Sequence, residues 1–392
     1  MHVVVLGAGY AGLTLTRLLE RELPADVDIT LVDRTPDHLV QHELHRVIRR
    51  PELASAITIS LPAVLDRAAV RVATVEAIDR DERLVSLSDR TLSYDVAAVC
   101  LGAQTAYYGL EGVREHAIPL KRLSHAFRIR SRALDVLATS DARIVVGGAG
   151  LSGVQVAGEL AELAAEEGAE ATVTVVEQRE SVAPQFPANF QRAVERALSD
   201  AGVEVRTNAT VRDADENHVV LESGDRLPFD QFVWTGGIRG PDAVGEARPT
   251  VQSDLRLDDR TVALGDSARV VDGDGEPVPA SAQAAVREAR TAATNISRLI
   301  DAENTEESGD RASESDGFEP TMESFTFDSP GWVVSVGDEA VAQVGPAVLT
   351  GRAAKALKST VGVGYLSAVG ATGTALGRAR AEFDPRRDRS PD

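Results

Sequence analysis

The sequence contains very little cysteine, and this shortage excludes several kinds of site. Cys100 is the only cysteine among 392 residues. A single thiol excludes an internal disulfide, a redox-active cysteine pair and a cysteine-based metal site. Because Cys100 lies in the apolar run VAAVCL, we interpret it as a small buried hydrophobic residue and not as a nucleophile.

Lysine is also scarce, and long apolar runs are absent. Only three of the 41 basic residues are lysines, and the formal net charge is −20. This balance argues against a nucleic-acid partner and resembles that of proteins from salt-loving archaea, where molar salt screens like charges. No segment approaches the roughly 20 apolar residues that cross a bilayer. The sequence leads directly into an apolar strand, so we expect no signal peptide and a cytoplasmic protein.

The most informative feature is a glycine-rich motif that occurs twice, as VVVLGAGYAGL and as IVVGGAGLSGV. Its glycines are Gly7, Gly9 and Gly12 in the first copy and Gly148, Gly150 and Gly153 in the second. Each copy follows an apolar strand and precedes a helical stretch and a second strand that ends in an acid, Asp33 or Glu177. This order is typical of dinucleotide-binding βαβ units.

Each position of the motif has a physical task. The first glycine permits a tight turn, the second lets the backbone approach a pyrophosphate, and the third lets the helix pack closely on the strand. The phosphates bind at the positive end of the helix, and the acid accepts hydrogen bonds from ribose hydroxyls. Two such units in one chain predict two bound dinucleotides, a flavin and a nicotinamide, with a hydride passed between them.

A second repeat supports a duplicated architecture. Residues 70–102 and 203–237 both alternate apolar and polar side chains, pass through an acidic turn, and end in an apolar strand and a glycine. Such alternation predicts antiparallel strands. We therefore predict an α/β fold with two Rossmann-like three-layer domains, the nicotinamide domain inserted in the flavin domain, plus a small C-terminal α+β unit. The predicted segments are 1–118 and 241–300 for the FAD-binding domain, 119–240 for the NADH-binding domain, 301–319 for an acidic flexible loop and 320–392 for the C-terminal unit.

Several further segments resemble the type II NADH:quinone oxidoreductases, a family of two-dinucleotide flavoproteins. The segments are DRTPDHLVQHELHRV, YDVAAVCLGAQTAYYGLEGVREHAIPLK, GVQVAGEL, WTGG, LGD and ASAQAAVREA, which together span almost the whole chain. The resemblance implies FAD and NADH as cofactors, a membrane quinone as electron acceptor and a homodimer. It also implies a peripheral enzyme on the cytoplasmic face of the membrane. Sulfide:quinone oxidoreductase activity is disfavoured, because that chemistry needs several cysteines.

The motifs and the resemblance together predict the site residues. For FAD these are Gly7, Gly9, Gly12, Asp33, Arg34, Gly102, Asp266 and Gln283. For NADH they are Gly148, Gly150, Gly153, Glu177 and Gly237. For the quinone region they are Gln41, Gln155, Gln283 and Arg287. No side chain is predicted to act as acid, base or nucleophile, because the difficult chemistry belongs to the cofactors.

Two residues of the quinone region depart from the family pattern. Gln155 stands where the family has a glutamate, and an amide can form hydrogen bonds but cannot hold a transferable proton or a charge. Arg287 stands where the family has a glutamine, and it places a permanent cation there. Both departures concern the electron acceptor and leave FAD and NADH binding untouched.

Two local patterns leave alternatives open. Glu177 favours NADH, since a carboxylate repels the 2′-phosphate of NADPH, but Arg179 nearby could accommodate that phosphate. His38, His42 and His45 would share one face of a helix. Because no Glu or Cys companion makes a metal site persuasive, we favour a polar pocket lining near the flavin and predict no metal.

The C-terminal region has a charge pattern of its own. Residues 340–381 hold five basic residues and no acid, with apolar residues between the cations. A basic amphipathic segment is typical of an interfacial anchor that binds anionic lipid. The alternative is a dimerisation helix or a helix that covers the core. We predict strands at FTF, WVVSVG and AVAQVG, followed by a helical region over residues 347–380.

The sequence thus predicts an FAD-dependent NADH dehydrogenase that passes electrons through the flavin to a membrane quinone without pumping protons. Two alternatives remain open. One is a soluble NAD(P)H-dependent reductase of a small electron carrier. The other is a nucleotide-binding redox sensor without turnover.

Overall fold

A computed structural model describes residues 1–245, 247–307 and 320–371. The strands are β1 His2–Leu6, β2 Asp28–Asp33, β3 Asp37–Leu39, β4 Thr58–Ser60, β5 Ala69–Val72, β6 Val75–Asp79, β7 Leu84–Leu87, β8 Thr91–Ser93, β9 Val96–Val99, β10 Gln104–Thr105, β11 Ile118–Pro119, β12 Ala142–Gly147, β13 Ala171–Val176, β14 Glu204–Arg206, β15 Val211–Ala214, β16 His218–Leu221, β17 Arg226–Pro228, β18 Gln231–Trp234, β19 Ile238–Arg239, β20 Thr250–Val251, β21 Thr261–Ala263, β22 Arg269–Val270, β23 Gly331–Val336, β24 Glu339–Val344 and β25 Ala347–Thr350. The helices are α1 Tyr10–Glu22, α2 Arg46–Arg49, α3 Leu61–Val64, α4 Glu111–His116, α5 Leu123–Leu137, α6 Leu151–Glu166, α7 Ala188–Asp200, α8 Ala282–Glu307 and α9 Gly351–Ala368. Short 3-10 helices cover Gln41–Glu43, Pro51–Ile57, Asp242–Val244 and Gly265–Ser267.

The chain forms two compact units, each built from three separate segments. The first unit comprises Met1–Leu39, Thr58–Gln104 and Arg239–Ser329. The second comprises Val40–Ile57, Thr105–Ile238 and the chain from Pro330 onward. The first glycine motif lies in the first unit and the second motif in the second. Residues 40–57, which the sequence analysis places in the FAD-binding segment, belong to the second unit.

The first unit is organised around a parallel sheet of order β21-β9-β1-β2-β5. Its central strand β1 has the apolar sequence HVVVL, and Val3, Val4 and Val5 are completely buried. A strand apolar on both faces is expected where helices cover both sides of a parallel sheet. Helices α1 and α8 pack against each other, and β6-β7-β8 form a separate antiparallel sheet.

The second unit repeats this plan. Its parallel sheet has the order β11-β18-β12-β13-β14, and its antiparallel sheet is β15-β16-β17. The central strand of the parallel sheet, β12, aligns with its neighbour β13, Val145 beside Thr174 and Val146 beside Val175. The predicted α/β fold with two Rossmann-like halves is therefore confirmed. In both halves the period-two repeat forms the expected three-stranded antiparallel sheet.

The C-terminal part of the second unit is an antiparallel meander, β23-β24-β25, followed by helix α9. Of the three strands predicted here, FTF is not a strand. Instead, the Phe325 N–H donates to the Ser253 carbonyl at 2.8 Å, and the Phe325 carbonyl accepts from the Gly273 N–H at 2.8 Å, in the first unit. Helix α8 runs to Glu307, so residues 301–307 are helical where the sequence analysis expects a loop. The rest of that predicted loop, 308–319, lies outside the described residues.

Candidate functional site

The first glycine motif forms the turn between β1 and α1. Gly7 has φ +100°, and a Cβ there would lie 2.4 Å from the Cys100 carbonyl oxygen, so the position requires glycine. A Cβ on Gly12 would lie 1.8 Å from the Gly7 carbonyl oxygen, which shows how closely α1 begins against the turn. A Cβ on Gly9 would meet nothing within 4 Å. The space beside Gly9 is therefore open to a ligand approaching the start of the helix.

The acid after β2 binds the motif itself. One Asp33 carboxylate oxygen accepts the N–H of Ala8 at 2.7 Å, and the other accepts the N–H of Thr35 at 3.0 Å. The carboxylate thus fixes the glycine-rich turn to the end of the neighbouring strand. The side chain of Arg34, predicted to bind FAD, is exposed beside it.

The second motif has the same geometry between β12 and α6. Gly148 has φ +93°, and a Cβ on Gly153 would lie 1.8 Å from the Gly148 carbonyl oxygen. A Cβ on Gly150 would again meet nothing within 4 Å. Glu177 is 6% exposed, and its two carboxylate oxygens accept the N–H groups of Ala149 at 2.8 Å and Arg179 at 2.9 Å.

The two acids therefore share a task that the sequence analysis does not predict. Each holds the amide of the residue after the first glycine of its own motif. Such an arrangement presets the turn before a nucleotide binds. Their predicted contact with ribose hydroxyls stays a prediction. The side chain of Arg179 is exposed, and NADH preference likewise stays a prediction.

Four more predicted cofactor residues lie at strand ends and helix starts. In the first unit, Gly102 follows β9 and Asp266 lies in the 3-10 turn after β21. Asp266 is half-buried, and its contact with a cofactor stays a prediction. Gln283 is at the start of α8, and its side-chain carbonyl accepts from the Ser329 hydroxyl at 3.3 Å. In the second unit, Gly237 follows β18, and a Cβ there would lie 1.9 Å from the hydroxyl of the exposed Tyr108.

The structure adds Glu288 to the Asp266 turn. Glu288 is 2% exposed, and its carboxylate accepts the Gly265 N–H at 2.6 Å. Burial raises the pKa of Glu288 to about 7; the charge of Asp266 raises it too, whereas the bond from Gly265 and the charge of Arg248 lower it. The available sequence signal was a glutamate inside the alanine-rich, apolar stretch AAVREARTAA.

We expect the stability of the native chain to depend on pH through Glu288. The usual pKa of a glutamate is 4.5, and the folded value is about 7, so between these pH values the folded chain binds more protons than the unfolded chain. The free energy of unfolding therefore falls as the pH rises through this window, by roughly 3 kcal/mol, and this group contributes no slope outside it.

The Glu288→Gln variant isolates this contribution, because an amide cannot ionise but can still accept from Gly265. The measurement is urea unfolding of the FAD-loaded protein. Between about pH 5 and pH 8, the free energy of unfolding of the variant should rise by roughly 2 to 3 kcal/mol relative to that of the native chain. Glu180→Gln, at an exposed glutamate, is the control and should show a nearly constant difference. A constant difference for Glu288→Gln as well would contradict the assignment.

The quinone-region residues are divided between the units. In the first unit, the Arg287 guanidinium donates to the Asp328 carbonyl and lies over the Phe327 ring, 5.8 Å from its centroid. In the second unit, Gln41 is exposed in the 3-10 helix Gln41–Glu43, and Gln155 is half-buried on α6. Arg287 is therefore held by its own unit through one hydrogen bond and one cation–π contact.

The histidines do not form the shared helical face considered above. His38 is in strand β3, where its Nδ1 lies 2.8 Å from the Ala8 carbonyl oxygen and its ring contacts Tyr10. His42 lies in the 3-10 helix, and His45 precedes α2. Within the described ranges, no group of three or more His, Cys, Asp or Glu side chains is placed to hold a metal ion.

The comparisons with known proteins agree with this geometry. Residues 1–289 match the family described as pyridine nucleotide-disulphide oxidoreductase. The chain belongs to this family. A type II NADH:quinone oxidoreductase of Staphylococcus epidermidis is 30% identical over 344 aligned residues, which cover 78% of this chain and 84% of that protein. One of Staphylococcus aureus is 28% identical over 418 aligned residues, covering 96% and 98%. The chain is therefore a member of the type II NADH:quinone oxidoreductases, as the sequence resemblance predicts.

Solved structures of low identity share the fold. NDH2 of Plasmodium falciparum in complex with NADH superposes with a TM-score of 0.79 at 15% identity, covering 98% of this chain and 99% of that one. The sulfide:quinone oxidoreductase of Aquifex aeolicus superposes with a TM-score of 0.78 at 16% identity, covering 95% and 92%. At these identities the likeness establishes the fold of this pyridine nucleotide-disulphide oxidoreductase and nothing further.

Helix α9 covers the C-terminal meander of this oxidoreductase. Ala354 is completely buried against Ala340 and Ala342 of β24, and Lys355 forms an ion pair with Glu339 at 3.1 Å. Val361 is 52% exposed on the outer side. One face of α9 thus covers the core, which the sequence analysis gives as an alternative to a lipid anchor. No helix in the described part of the chain combines the length and apolarity of a membrane span. Residues 372–392 lie outside the described residues.

Proposed function

We propose that this protein is an FAD-dependent NADH dehydrogenase that transfers electrons to a membrane quinone. The observation that carries the proposal is the repeated motif, in which an acid and two close-packed glycines preset an open, phosphate-binding turn in each unit. The family membership and the activity for which the staphylococcal relatives are named support the same reaction.

The residues of the first unit fit an FAD molecule. The open space beside Gly9 and the start of α1 suit a pyrophosphate, and Asp33, beside this turn, would accept from an adenosine ribose. Asp266 would accept from the ribityl chain. In the second unit, Gly150, α6 and Glu177 fit NADH in the same manner. The bound flavin and nicotinamide supply the redox chemistry, and the protein supplies position and electrostatics.

An anaerobic titration tests the two half-reactions. NADH added to the FAD-loaded protein in molar salt should bleach the visible flavin band, and a soluble quinone analogue should restore it. Bleaching without recovery would move the acceptor to a small protein carrier. No bleaching with FAD bound would leave a nucleotide-binding protein without turnover and overturn the proposal.

We further propose that the enzyme is a homodimer that binds the cytoplasmic face of the membrane through its C-terminal segment. Support comes from the basic, acid-free composition of residues 340–381 and from the exposed Val361 and Arg352 on α9, whereas Lys355 and Lys358 pair with Glu339 and Glu43. Anionic lipid attracts such cations by about 1 kcal/mol each. The dimer proposal rests on the family alone, and size-exclusion chromatography with light scattering tests it.

We expect the Arg352→Glu variant to bind anionic vesicles about 30-fold more weakly than the native chain. The reversal removes one attraction and adds one repulsion, together roughly 2 kcal/mol. Co-sedimentation at the lowest salt that keeps the protein folded is the measurement, because salt screens the effect. Arg290→Glu, at an exposed arginine of α8, is the matched control and should bind as the native chain does. Equal loss in both variants would contradict a docking role for α9.

A further inference from the structure

A buried group of charges lies in the second unit, at the same 3-10 helix that carries Gln41. Glu43 is completely buried, and two cations and one histidine ring surround its carboxylate. Arg46 lies 2.8 Å away, His42 3.5 Å away, and the Lys358 ammonium of α9 3.7 Å away. We name Glu43, His42, Arg46 and Lys358 the Glu43 cluster.

The cluster continues as a chain of polar groups towards helix α6. The Lys358 ammonium donates to the Ser335 hydroxyl of β23 at 2.8 Å, and Nε2 of His45 lies 2.8 Å from the same hydroxyl. His45 in turn lies 4.0 Å from the carboxylate of Glu159 on α6. Burial and the charge of Lys358 keep the pKa of His45 well below its usual range, so this histidine is neutral near pH 7.

Ser335 and His45 connect the cluster to Glu159 on helix α6. Glu159 follows Gln155 by one helical turn, so the two side chains lie on the same face of the helix. His45 approaches Glu159 there, and it is two residues from Glu43. Gln41 thus lies on the same 3-10 helix as Glu43, and Gln155 lies one turn before Glu159 on α6.

Burying such a cluster of charges lowers the stability of the fold. Removing charges from water costs several kcal/mol per ion, and an apolar core of the same volume is often as stable. Buried ionisable groups with specific charge partners are therefore candidates for function. Quinone reduction needs a proton source, because NADH gives two electrons and one proton whereas quinol formation consumes a second proton. At Gln155 this chain has an amide, which holds no transferable proton.

We propose that Glu43 replaces the carboxylate missing at position 155 and holds Lys358 as the proton donor for quinone reduction. This inference rests on the proposed function. In the overall reaction NADH is oxidised to NAD⁺, and its two electrons and one proton pass through the flavin to the quinone. For the second proton of the quinol, an N–H bond of the Lys358 ammonium breaks and an O–H bond forms on the quinone oxygen. Lys358 is 14% exposed, and it regains a proton from water by way of His42, which is 33% exposed. Glu43 is a positioning residue, because its carboxylate acts through the ammonium.

The test measures the two half-reactions separately by stopped flow. We expect Glu43→Gln to leave flavin reduction by NADH within twofold of the native rate and to slow flavin reoxidation by a quinone analogue at least tenfold. Glu52→Gln, at an exposed glutamate of the same segment, should behave as the native chain.

A relocated carboxylate provides the deciding variant. If the proposal holds, the double variant Glu43→Gln with Gln155→Glu recovers reoxidation to within about threefold of the native rate. A role confined to folding would lower both half-reactions together, and Gln155→Glu would restore neither. Should Glu43→Gln fail to bind FAD, Lys358→Met tests the same pair and is expected to slow only reoxidation. Native reoxidation in Glu43→Gln or Lys358→Met overturns the proposal, whereas failure of the native protein itself to be reoxidised overturns the proposed function.

Discussion

Gly150→Ala is expected to weaken NADH binding by about 10- to 100-fold while FAD binding and folding remain unchanged. The backbone at Gly150 is extended, with φ −67°, so alanine fits without strain, and its methyl group would meet no protein atom within 4 Å. The methyl group would fill only the space that the nicotinamide pyrophosphate needs. An extra methyl group in a filled site costs roughly 1 to 3 kcal/mol, which sets the expected loss.

The equivalent substitution in the first glycine motif provides a control for this experiment. Gly9 has the same extended backbone and the same open space, so Gly9→Ala should release FAD and spare the fold. Gly364→Ala, on α9 with nothing within 4 Å, controls for the substitution itself. Isothermal titration with each dinucleotide measures the affinities. Equal weakening of both dinucleotides by Gly150→Ala would contradict the assignment of the second motif to NADH.

The duplicated fold could be predicted from the sequence because its signals are local. A glycine motif between an apolar strand and a helix specifies a turn whose conformation only glycine adopts, as Gly7 and Gly148 show with φ near +100° and +93°. The alternation in residues 70–102 and 203–237 follows from one side chain pointing in and the next out. Such signals depend only on residues that are close in the sequence, so they can be interpreted without the tertiary structure.

The strand that we predict at FTF, which the structure does not contain, shows where local sequence signals fail. Its alternating aromatic residues satisfy the pattern of a strand, but a strand needs a partner with free backbone groups. Phe325 instead exchanges single hydrogen bonds with Ser253 and Gly273, which lie on separate loops. The same limit applies to the end of α8, which continues to Glu307 through an acidic sequence that resembles a loop.

The buried charges were beyond prediction for a different reason. Glu43, Arg49 and Glu159 all lie in segments where a charged residue every few positions suggests a solvated face. Glu43 pairs with Lys358 of α9, and Arg49 pairs with Asp338 in the turn after β23. Both elements come more than 150 residues later in the chain than Glu159. Only the tertiary structure brings these elements together, so no sequence window contains both partners. The departures at Gln155 and Arg287 are visible in the sequence, but their context is not.

Arg49→Met is expected to lower the free energy of unfolding by about 3 to 5 kcal/mol, the loss typical when one partner of a buried ion pair is removed. Arg49 is 6% exposed, and its guanidinium donates to Glu159 at 2.8 Å and to Glu166 at 3.3 Å, and also to Asp338. Its partners lie on α6 and on the turn between β23 and β24. The variant would therefore leave Glu159 buried without its cation and loosen the C-terminal meander from α6.

The neighbouring Arg50 provides a matched control. Its side chain is 44% exposed and pairs only at the surface, with Glu166, so Arg50→Met should cost no more than about 1 kcal/mol. Urea unfolding in low and in molar salt separates the two further, because salt screens the exposed pair and leaves the buried one largely intact. Adding Glu159→Gln to Arg49→Met should recover part of the loss, since the uncompensated charge is then gone. If Arg49→Met and Arg50→Met cost the same, the buried network does not hold the meander, and the path from α6 to Lys358 loses its structural support.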